Sequence, residues 1–237
     1  PGPAPVQPYR DLRKLWSKEA LAAGGAVSRA VPGVVLGGAL TFAAVLPPLL
    51  GPRPFAIDAV ALALLLALSR FALVLAALES RSTFAALAAG REMTFASLTE
   101  APLIVALVAG GGVLAAGALL LVMLAETARI PVDNSETHYE LTMVHEGLLL
   151  EYAGWQLALV QAAAYVRQAA FLVLAALLLP SAHVPVLAWF VALLVLLPAV
   201  ERAFAKARLF DVPQLFASAT VLALASVGAH LAGHAPW

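Results

Sequence analysis

Residues 55–78 read FAIDAVALALLLALSRFALVLAAL, and only Asp58 and Arg70 are charged in this run. A helix needs about 20 predominantly apolar residues to cross the hydrocarbon core of a bilayer. The run is therefore predicted to be a transmembrane helix. It sets the class of the whole chain as an integral membrane protein.

The composition of the 237 residues agrees with this class: 62% are apolar, 12% are charged, and the mean hydropathy is +0.93. A soluble domain carries roughly 25% charged residues. The net charge is zero, and no basic surface with interleaved aromatic residues is present, which argues against a nucleic-acid partner. Because the sequence has no cysteine, it excludes disulfides and cysteine-ligated iron–sulfur, zinc or nickel sites in this chain.

Further apolar runs lie on both sides of the first and are also predicted to be spans. They cover residues 31–50, 155–179, 184–200 and 213–231. Residues 79–97 are predicted to be a polar connection. In residues 5–20, apolar and basic side chains fall on opposite sides at helical spacing, which is typical of an amphipathic helix on a membrane surface. A juxtamembrane basic anchor is the other interpretation of this segment.

Residues 98–125, LTEAPLIVALVAGGGVLAAGALLLVMLA, are long for one span and short for two. Two crossings would place the basic residues of the later loops on the same side as the N-terminal helix and leave only Arg53 opposite, as the positive-inside rule favours. We therefore predict two short crossings with a turn at residues 110–112, and about seven spans in all. A single long, tilted helix is the alternative.

Acidic residues concentrate between positions 126 and 151, where Arg129 is the only Lys or Arg. They are Glu126, Asp133, Glu136, Glu140, Glu146 and Glu151. Asp133 and Glu136 have the spacing of a helix capping box. A helix from there would place Glu136, Glu140 and Glu151 within about 60° on one face. Facing water, this face is a solvated acidic surface; facing the interior, its carboxyl pKa values would be raised, which suits proton carriers.

Other charged residues border or enter the apolar runs. The bordering acids are Asp58, Glu79, Glu92, Glu100 and Glu201. Arg70 and Arg167 lie well inside their runs, where an unpaired charge is costly and is a functional-site hypothesis by default. We predict that each arginine pairs with a glutamate on a neighbouring helix. Snorkelling to the interface or a purely structural link between helices is the alternative.

Metal binding and nucleophilic catalysis have little support. His145-Glu146 begins like the metalloprotease motif His-Glu-x-x-His, but position 149 is Leu. His138, His145 and Glu151 could in principle bind a metal, although two histidines on a polar loop are more often hydrogen-bonded. No metal site and no catalytic residue is predicted.

Residues 126–134, ETARIPVDN, continue as ETHYELTMVHE at 136–146 and EYAG at 151–154. This long pattern resembles the complex I subunit 1 family. The version THYELTMVHE is similar to the branch found in energy-converting group 4 [NiFe]-hydrogenases and formate hydrogenlyase. QPYRDLRKL at 7–15, GREMT at 90–94 and AKARLF at 205–210 are similar to the family's surface helix and to two of its cytoplasmic loops.

The resemblance implies an all-α, polytopic bundle in the inner (cytoplasmic) membrane, forming a single membrane domain over residues 1–237. The family has eight transmembrane helices, so the first would precede Pro1. Residues 126–154 would be an acidic cytoplasmic loop. The cytoplasmic loops would dock a hydrogenase-like large subunit and an iron–sulfur subunit, with antiporter-like subunits as further membrane partners. The chain itself would hold no cofactor, because the [NiFe] centre and the clusters would belong to partner subunits.

The implied role is to couple electron transfer to H⁺ or Na⁺ translocation along buried carboxylates. The predicted ion pathway comprises Asp58, Glu79, Glu92, Glu100, Glu126, Glu136, Glu140, Glu146, Glu151 and Glu201. The predicted loop and docking residues are Arg91, Arg129, Asp133, His138 and His145. Arg70 and Arg167 would be intramembrane charge partners.

Three other functions stay open. They are a quinone-site subunit of a respiratory NADH-quinone oxidoreductase, a passive membrane anchor for the hydrophilic arm, and a standalone transporter. Two features depart from the family pattern. Residues 100–126 are short for two spans, and Asp211 stands where a basic residue is common.

Overall fold

The computed structural model describes residues 6–20, 25–46, 55–133, 144–180, 184–205, 207–208 and 211–233, with the side chains of residues 55–58 left outside the description. These residues form helices and connections without a strand. The helices are α1 Gln7–Trp16, α2 Ala26–Val45, α3 Phe55–Glu79, α4 Thr83–Val108, α5 Val113–Glu126, α6 His145–Leu149, α7 Gly154–Leu178, α8 Val186–Ala203 and α9 Val212–Leu231. The predicted all-α fold is confirmed.

Five helical segments of the described chain are long and apolar enough to cross a membrane. They are Ala26–Val45, Ala59–Glu79, Gly154–Leu178, Val186–Ala203 and Val212–Leu231. All five correspond to spans predicted from the sequence. The first begins about one turn earlier than predicted. Ser28 in its first turn donates hydrogen bonds to Glu79 of α3, which stabilises this start. The predicted count of seven is not confirmed, because neither α4 nor α5 meets the same criteria of length and composition.

The predicted polar connection at residues 79–97 is wrong. Glu79 ends α3, only residues 80–82 connect α3 to α4, and residues 83–97 form the first half of α4. Ala85, Ala88 and Ala89 of this half are buried at the i, i+3, i+4 spacing of one helix face. Alanine has the highest helix propensity, and this small apolar stripe packs into the bundle although Arg91 and Glu92 follow it in the same half of α4.

The predicted turn at residues 110–112 is confirmed. α4 ends at Val108, α5 begins at Val113, and the three glycines between them all have positive φ values of 77°, 142° and 110°. Glycine adopts such angles without a Cβ clash. The turn makes a hairpin of α4 and α5, in agreement with a chain that returns to the side from which it came.

Hydrogen bonds between connections define two ends of the bundle. At the basic end, the Ala207 backbone N–H donates to the Pro131 carbonyl at 2.8 Å. At the glycine end, the Gly112 N–H donates to the Leu178 carbonyl at 2.7 Å, and Ser226 Oγ donates to the Gly111 carbonyl at 3.3 Å. The described arginines of the connections lie at the basic end: Arg81, Arg129 and Arg208. This distribution fits the positive-inside argument for two crossings.

The core forms where α5 and α7 meet their neighbours. Phe42 of α2 packs on Phe171 of α7 with ring centroids 5.4 Å apart, and Phe95 of α4 meets Phe216 of α9 at 5.7 Å. α8 is peripheral, and of its residues only Leu193 and Leu197 are buried. Apolar side chains on the outside of a membrane bundle face lipid tails, which are as apolar as they are.

The N-terminal helix α1 lies within the predicted segment 5–20 and packs beside α7. None of its residues is buried, and Tyr9 and Trp16 are exposed. The chain after α1 presses against the start of α7 at Gly154, which has φ +58°. A Cβ at this position would overlap the carbonyl oxygens of Lys18 and Glu19, so the close approach requires glycine.

Candidate functional site

A buried ion pair joins α3 to α5. Arg70 Nη2 donates to Glu126 Oε1, and Arg70 Nη1 donates to Thr99 Oγ1 of α4 at 3.2 Å. All three residues are buried. Charges removed from water persist only when they are paired and hydrogen-bonded. The pair therefore fixes three helices around one polar point inside an otherwise apolar bundle.

A small polar cavity adjoins this pair and is named here the inner cavity. Its volume is about 10 Å³, which is the space of a single water molecule. Its polar lining consists of Arg70, Glu92, Thr99, Glu126, Asp133 and His145. The structure thus brings together two carboxylates of the predicted ion pathway and two residues of the predicted loop region.

Local geometry explains how these residues converge. Glu92 and Thr99 are seven residues apart on α4 and therefore share one helix face. Glu126 is the last residue of α5. Asp133 is buried, and its Oδ2 accepts a hydrogen bond from the His145 backbone N–H at 3.1 Å, which ties the start of α6 to the segment after α5.

The second buried arginine, Arg167 of α7, differs from the prediction. Its side chain is 2% exposed, and its Nε and Nη2 have no hydrogen-bond partner among the described residues. Within the described ranges it forms no ion pair, so the predicted pairing with a glutamate is not found there. Glu126, a neighbouring carboxylate on α5, is already held by Arg70. Arg167 interacts electrostatically with Glu126 and Glu92 without a direct ion pair to either in the described ranges.

His145 lies at the edge of the inner cavity. Burial lowers the pKa of His145 to about 4, the positive charges of Arg167 and Arg70 lower it in the same direction, and Asp133 opposes them. The imidazole is therefore neutral at neutral pH. A neutral imidazole carries one N–H donor and one acceptor nitrogen.

A larger cavity of about 600 Å³ opens at the basic end between α1, α6 and α7, and is named here the outer cavity. Its lining mixes apolar groups such as Leu149 and Val160 with polar ones. The polar side chains are Thr127, Arg129, His145, Glu146, Tyr152, Gln161, Tyr165 and Gln168. Two of the predicted loop residues, Arg129 and His145, thus line a space that is open to the basic end.

Arg129 anchors the segment after α5. Its Nη1 donates to Glu201 Oε1 of α8 at 3.2 Å, and its Nη2 donates to Gln168 Oε1 of α7 at 2.7 Å. Glu201, a predicted pathway residue, lines neither the inner nor the outer cavity. It is partly exposed, and its ion pair with Arg129 links the segment after α5 to α8.

Glu79, another predicted pathway residue, caps a helix. Its Oε2 accepts hydrogen bonds from the backbone N–H and from Oγ of Ser28, both at 2.7 Å. Ser28 lies in the first turn of α2, where backbone N–H groups lack partners within the helix and the helix dipole favours a negative charge. Glu79 lines neither cavity. Its hydrogen bonds with Ser28 link the end of α3 to the start of α2.

The remaining predicted residues divide into two groups. Arg91, Glu100 and Glu151 are half-buried and line neither cavity. The side chain of Asp58 and all of Glu136, His138 and Glu140 lie outside the described residues, and so does most of the predicted acidic helix. Within the described ranges, no group of three or more His, Asp or Glu side chains is arranged to hold a metal ion.

Two functional contacts were absent from the sequence-based prediction. Thr99 bridges the buried ion pair, and Gln168 fixes Arg129. The sequence could have indicated Thr99, because it lies two turns after Glu92 on the same helix face. Nothing in the sequence indicated Gln168 except its position next to Arg167.

Comparisons with known proteins add the following. The chain matches the model of the family described as NADH dehydrogenase over residues 1–117 and 111–230. Hydrogenase-4 component C of Escherichia coli (strain K12) is 36% identical over 186 residues, which cover 67% of this chain and 58% of that protein. Formate hydrogenlyase subunit 4 of the same organism is 32% identical over 182 residues, which cover 65% and 58%. The chain thus spans less than two thirds of the length of both relatives.

A solved structure shares the fold. It is a chain of the membrane-bound sulfane sulfur reductase (MBS), an archaeal respiratory membrane complex, with a TM-score of 0.77 and 19% identity. The match covers 95% of this chain and 87% of that chain. The helical arrangement described above is therefore one that a membrane protein of known structure adopts.

Proposed function

We propose, from the premise that this chain belongs to the NADH dehydrogenase family, that it is the membrane subunit of a complex I-like, energy-converting [NiFe]-hydrogenase. In this function it docks a hydrophilic redox arm and couples electron transfer to ion translocation. The single observation that carries the proposal is that the buried pair of Arg70 and Glu126 lines the inner cavity together with Glu92. Ionisable residues inside a membrane bundle are costly, and by default they are a hypothesis for an ion or proton path.

The hydrogenase branch is supported by two relatives. Both are proteins of Escherichia coli whose names assign them to hydrogenase-4 and formate hydrogenlyase. The motif at 137–146 supports the same branch. In it, the electron acceptor is the proton at a [NiFe] centre on a partner subunit, and no quinone is required.

The proposed coupling acts through the ion pair. The segment that follows Glu126 runs along the basic end, where a docked arm would contact it, and carries Arg129 and Asp133. A displacement of this segment would draw Glu126 away from Arg70. A buried carboxylate without its guanidinium partner is strongly disfavoured as an anion, and proton uptake neutralises it. Return of the pair would release the proton towards Glu92, which lines the same cavity.

The proposed orientation in the membrane follows from the distribution of Lys and Arg between the two ends of the bundle. We place the basic end on the cytoplasmic side of the inner membrane, because cytoplasmic loops carry the excess of Lys and Arg. The hydrogenase-like large subunit and the iron–sulfur subunit would dock on this end. The apolar exterior of α8 would face lipid or antiporter-like membrane subunits.

The test is the E126Q variant of the full-length protein in its purified complex, reconstituted into proteoliposomes. Glutamine keeps an acceptor for Arg70 but cannot exchange a proton, so we expect ion translocation to fall by roughly 10²-fold, as for loss of an acid–base group, while electron turnover persists. E19Q is the matched control, because Glu19 is an exposed carboxylate. Translocation at the wild-type ratio per electron in E126Q would favour the passive anchor instead.

A second candidate function is the quinone-site subunit of a respiratory NADH-quinone oxidoreductase. The outer cavity favours it, because about 600 Å³ falls within the roughly 300–1,000 Å³ of small-molecule sites and its lining is both apolar and polar. Purifying the full-length protein in mild detergent separates the candidates. A co-purifying [NiFe] subunit with hydrogenase activity supports the hydrogenase. Quinone reduction without nickel supports the quinone site, and transport by a chain that purifies alone supports a standalone transporter.

A further inference from the structure

The inner and outer cavities share part of their lining. Of the described residues, Ala128 and His145 line both cavities. The side chain of Ala128 is a methyl group and cannot carry a proton. Among the described lining residues, His145 is therefore the titratable group that faces both spaces.

His145 is held in place at this boundary. It is the first residue of α6, and its backbone N–H donates to the buried Asp133. The other charged residues that line the inner cavity are Arg70, Glu92, Glu126 and Asp133, and those that line the outer cavity are Arg129 and Glu146. These groups come from α3, α4, α5, α6 and the segment between α5 and α6, and Arg167 of α7 also acts electrostatically on His145.

The chemistry of the ring suits transfer between two spaces. A neutral imidazole can accept a proton on its free nitrogen from the outer cavity and release the proton of its other nitrogen to the inner cavity. The ring then regains its starting tautomer by rotation or by proton exchange. One proton enters and one leaves, so the charge of the site is unchanged after each cycle. Burial and the Arg167 field keep the imidazole neutral between transfers and so prevent it from trapping the proton.

We propose that His145 relays protons between the outer cavity and the carboxylates of the inner cavity. This role rests on the proposed function and specifies its ion as H⁺. It also assigns to His145 a task other than docking the soluble arm.

The experiment uses the full-length complex in proteoliposomes, with electron turnover and proton movement measured together across pH. The variants are H145Q and H145A. Glutamine retains a donor and an acceptor but does not bind a proton. We expect protons moved per electron to fall by roughly 10²-fold in both variants, with electron turnover retained. H230Q is the matched control, because His230 is exposed in the last turn of α9 at the glycine end.

Chemical rescue separates a relay from a structural role. H145A would open space that adjoins the 600 Å³ outer cavity, so added imidazole can reach it. We expect imidazole to restore proton movement in H145A. We expect 1-methylimidazole to fail, because it has an acceptor nitrogen but no N–H to release. Equal rescue by both, or by neither, would overturn the relay.

The outcomes distinguish the relay from the function on which it rests. If H145Q moves protons at the wild-type ratio, the relay is wrong and the coupling function stands. If the wild-type complex moves Na⁺ and no H⁺, the relay is likewise wrong and the coupling function stands. If the wild-type complex moves no ion during turnover, both proposals fail.

Discussion

Glu126 and Glu79 are each the last residue of an apolar helix, and the structure uses them differently. Glu126 ends α5 in the interior, paired with Arg70. Glu79 ends α3 at the basic end and accepts hydrogen bonds from the first turn of α2. Helix length separates them: α5 has 14 residues and α3 has 25, which correspond to roughly 21 Å and 38 Å at 1.5 Å per residue. A short helix brings its terminal acid into the bundle, whereas a long helix carries it to the surface.

The largest expected effect comes from removing the partner of the interior acid. R70M leaves Glu126 buried without a counter-charge, so we expect the free energy of unfolding to fall by about 3–5 kcal/mol. Thermal unfolding of the purified complex measures this loss. The double variant R70M/E126L replaces both charges with apolar groups and should recover most of the stability without recovering translocation. Equal stability of the single and double variants would show that the pair is not the cause.

The surface acid should behave in the opposite way. E79A removes the acceptor for the α2 N-terminus, so we expect a small loss of stability, in the direction of a lost helix cap and well below that of R70M. Translocation per assembled complex should equal that of the wild type. E79Q keeps an acceptor for Ser28 and should lose less stability than E79A. A fully assembled E79A complex that moved no ions would return Glu79 to the ion pathway.

The dependence of stability on pH tests whether His145, at the inner cavity, is buried as a neutral imidazole. The pKa of His145 is lowered to about 4 from a reference of 6.5, so the unfolded chain binds more protons than the folded one between these values. Stability then rises with pH across this window, and it is lost as pH falls from about 6.5 towards about 4. We expect the melting temperature of H145Q to fall less than that of the wild type over the same window. Parallel melting curves of the two proteins would mean that the imidazole is solvated.

The smallest effect is expected at the partly exposed pair of Arg129 and Glu201. Exposed ion pairs contribute about 0–1 kcal/mol, so E201Q should change the melting temperature little. Added salt should reduce even this difference, because exposed charges are screened. A loss as large as that of R70M would place Glu201 with the interior acids rather than with Glu79.

The sequence predicted the positions of the helices better than it predicted the contacts between their charged side chains. Apolar length alone located five spans, and the triple glycine located the turn between α4 and α5, because both are local properties. The alanine stripe at Ala85, Ala88 and Ala89 was a local signal too, but the surrounding charges concealed it. The roles assigned to the ion-pathway and docking residues stay predictions.

The ion-pair partner of a buried charged residue depends on the rotation of its helix and on how far the helix extends along the bundle. One sequence does not specify either. Arg70 and Arg167 both lie well inside apolar runs, yet Arg70 pairs with Glu126, whereas two donors of Arg167 find no partner in the part of the chain that the structure describes. In the same way, the sequence alone did not show that Glu126 ends its helix inside the bundle whereas Glu79 ends its helix at the surface. The meeting of two cavities at His145 was likewise beyond prediction, since it requires α3, α4, α5, α6 and α7 in place.

The close approach at Gly154 has a consequence for the biogenesis of the protein. The carbonyl groups of Lys18 and Glu19 contact the first residue of α7, which the ribosome adds only after helices α1 to α6 have been made. Until then α1 lacks its contact with α7. Its exposed Tyr9 and Trp16 can hold it at the lipid headgroups during this wait, because aromatic side chains favour that interface. Docking of α1 would then be a late step of insertion, and a larger side chain at position 154 would arrest the protein with its spans inserted and α1 still on the bilayer.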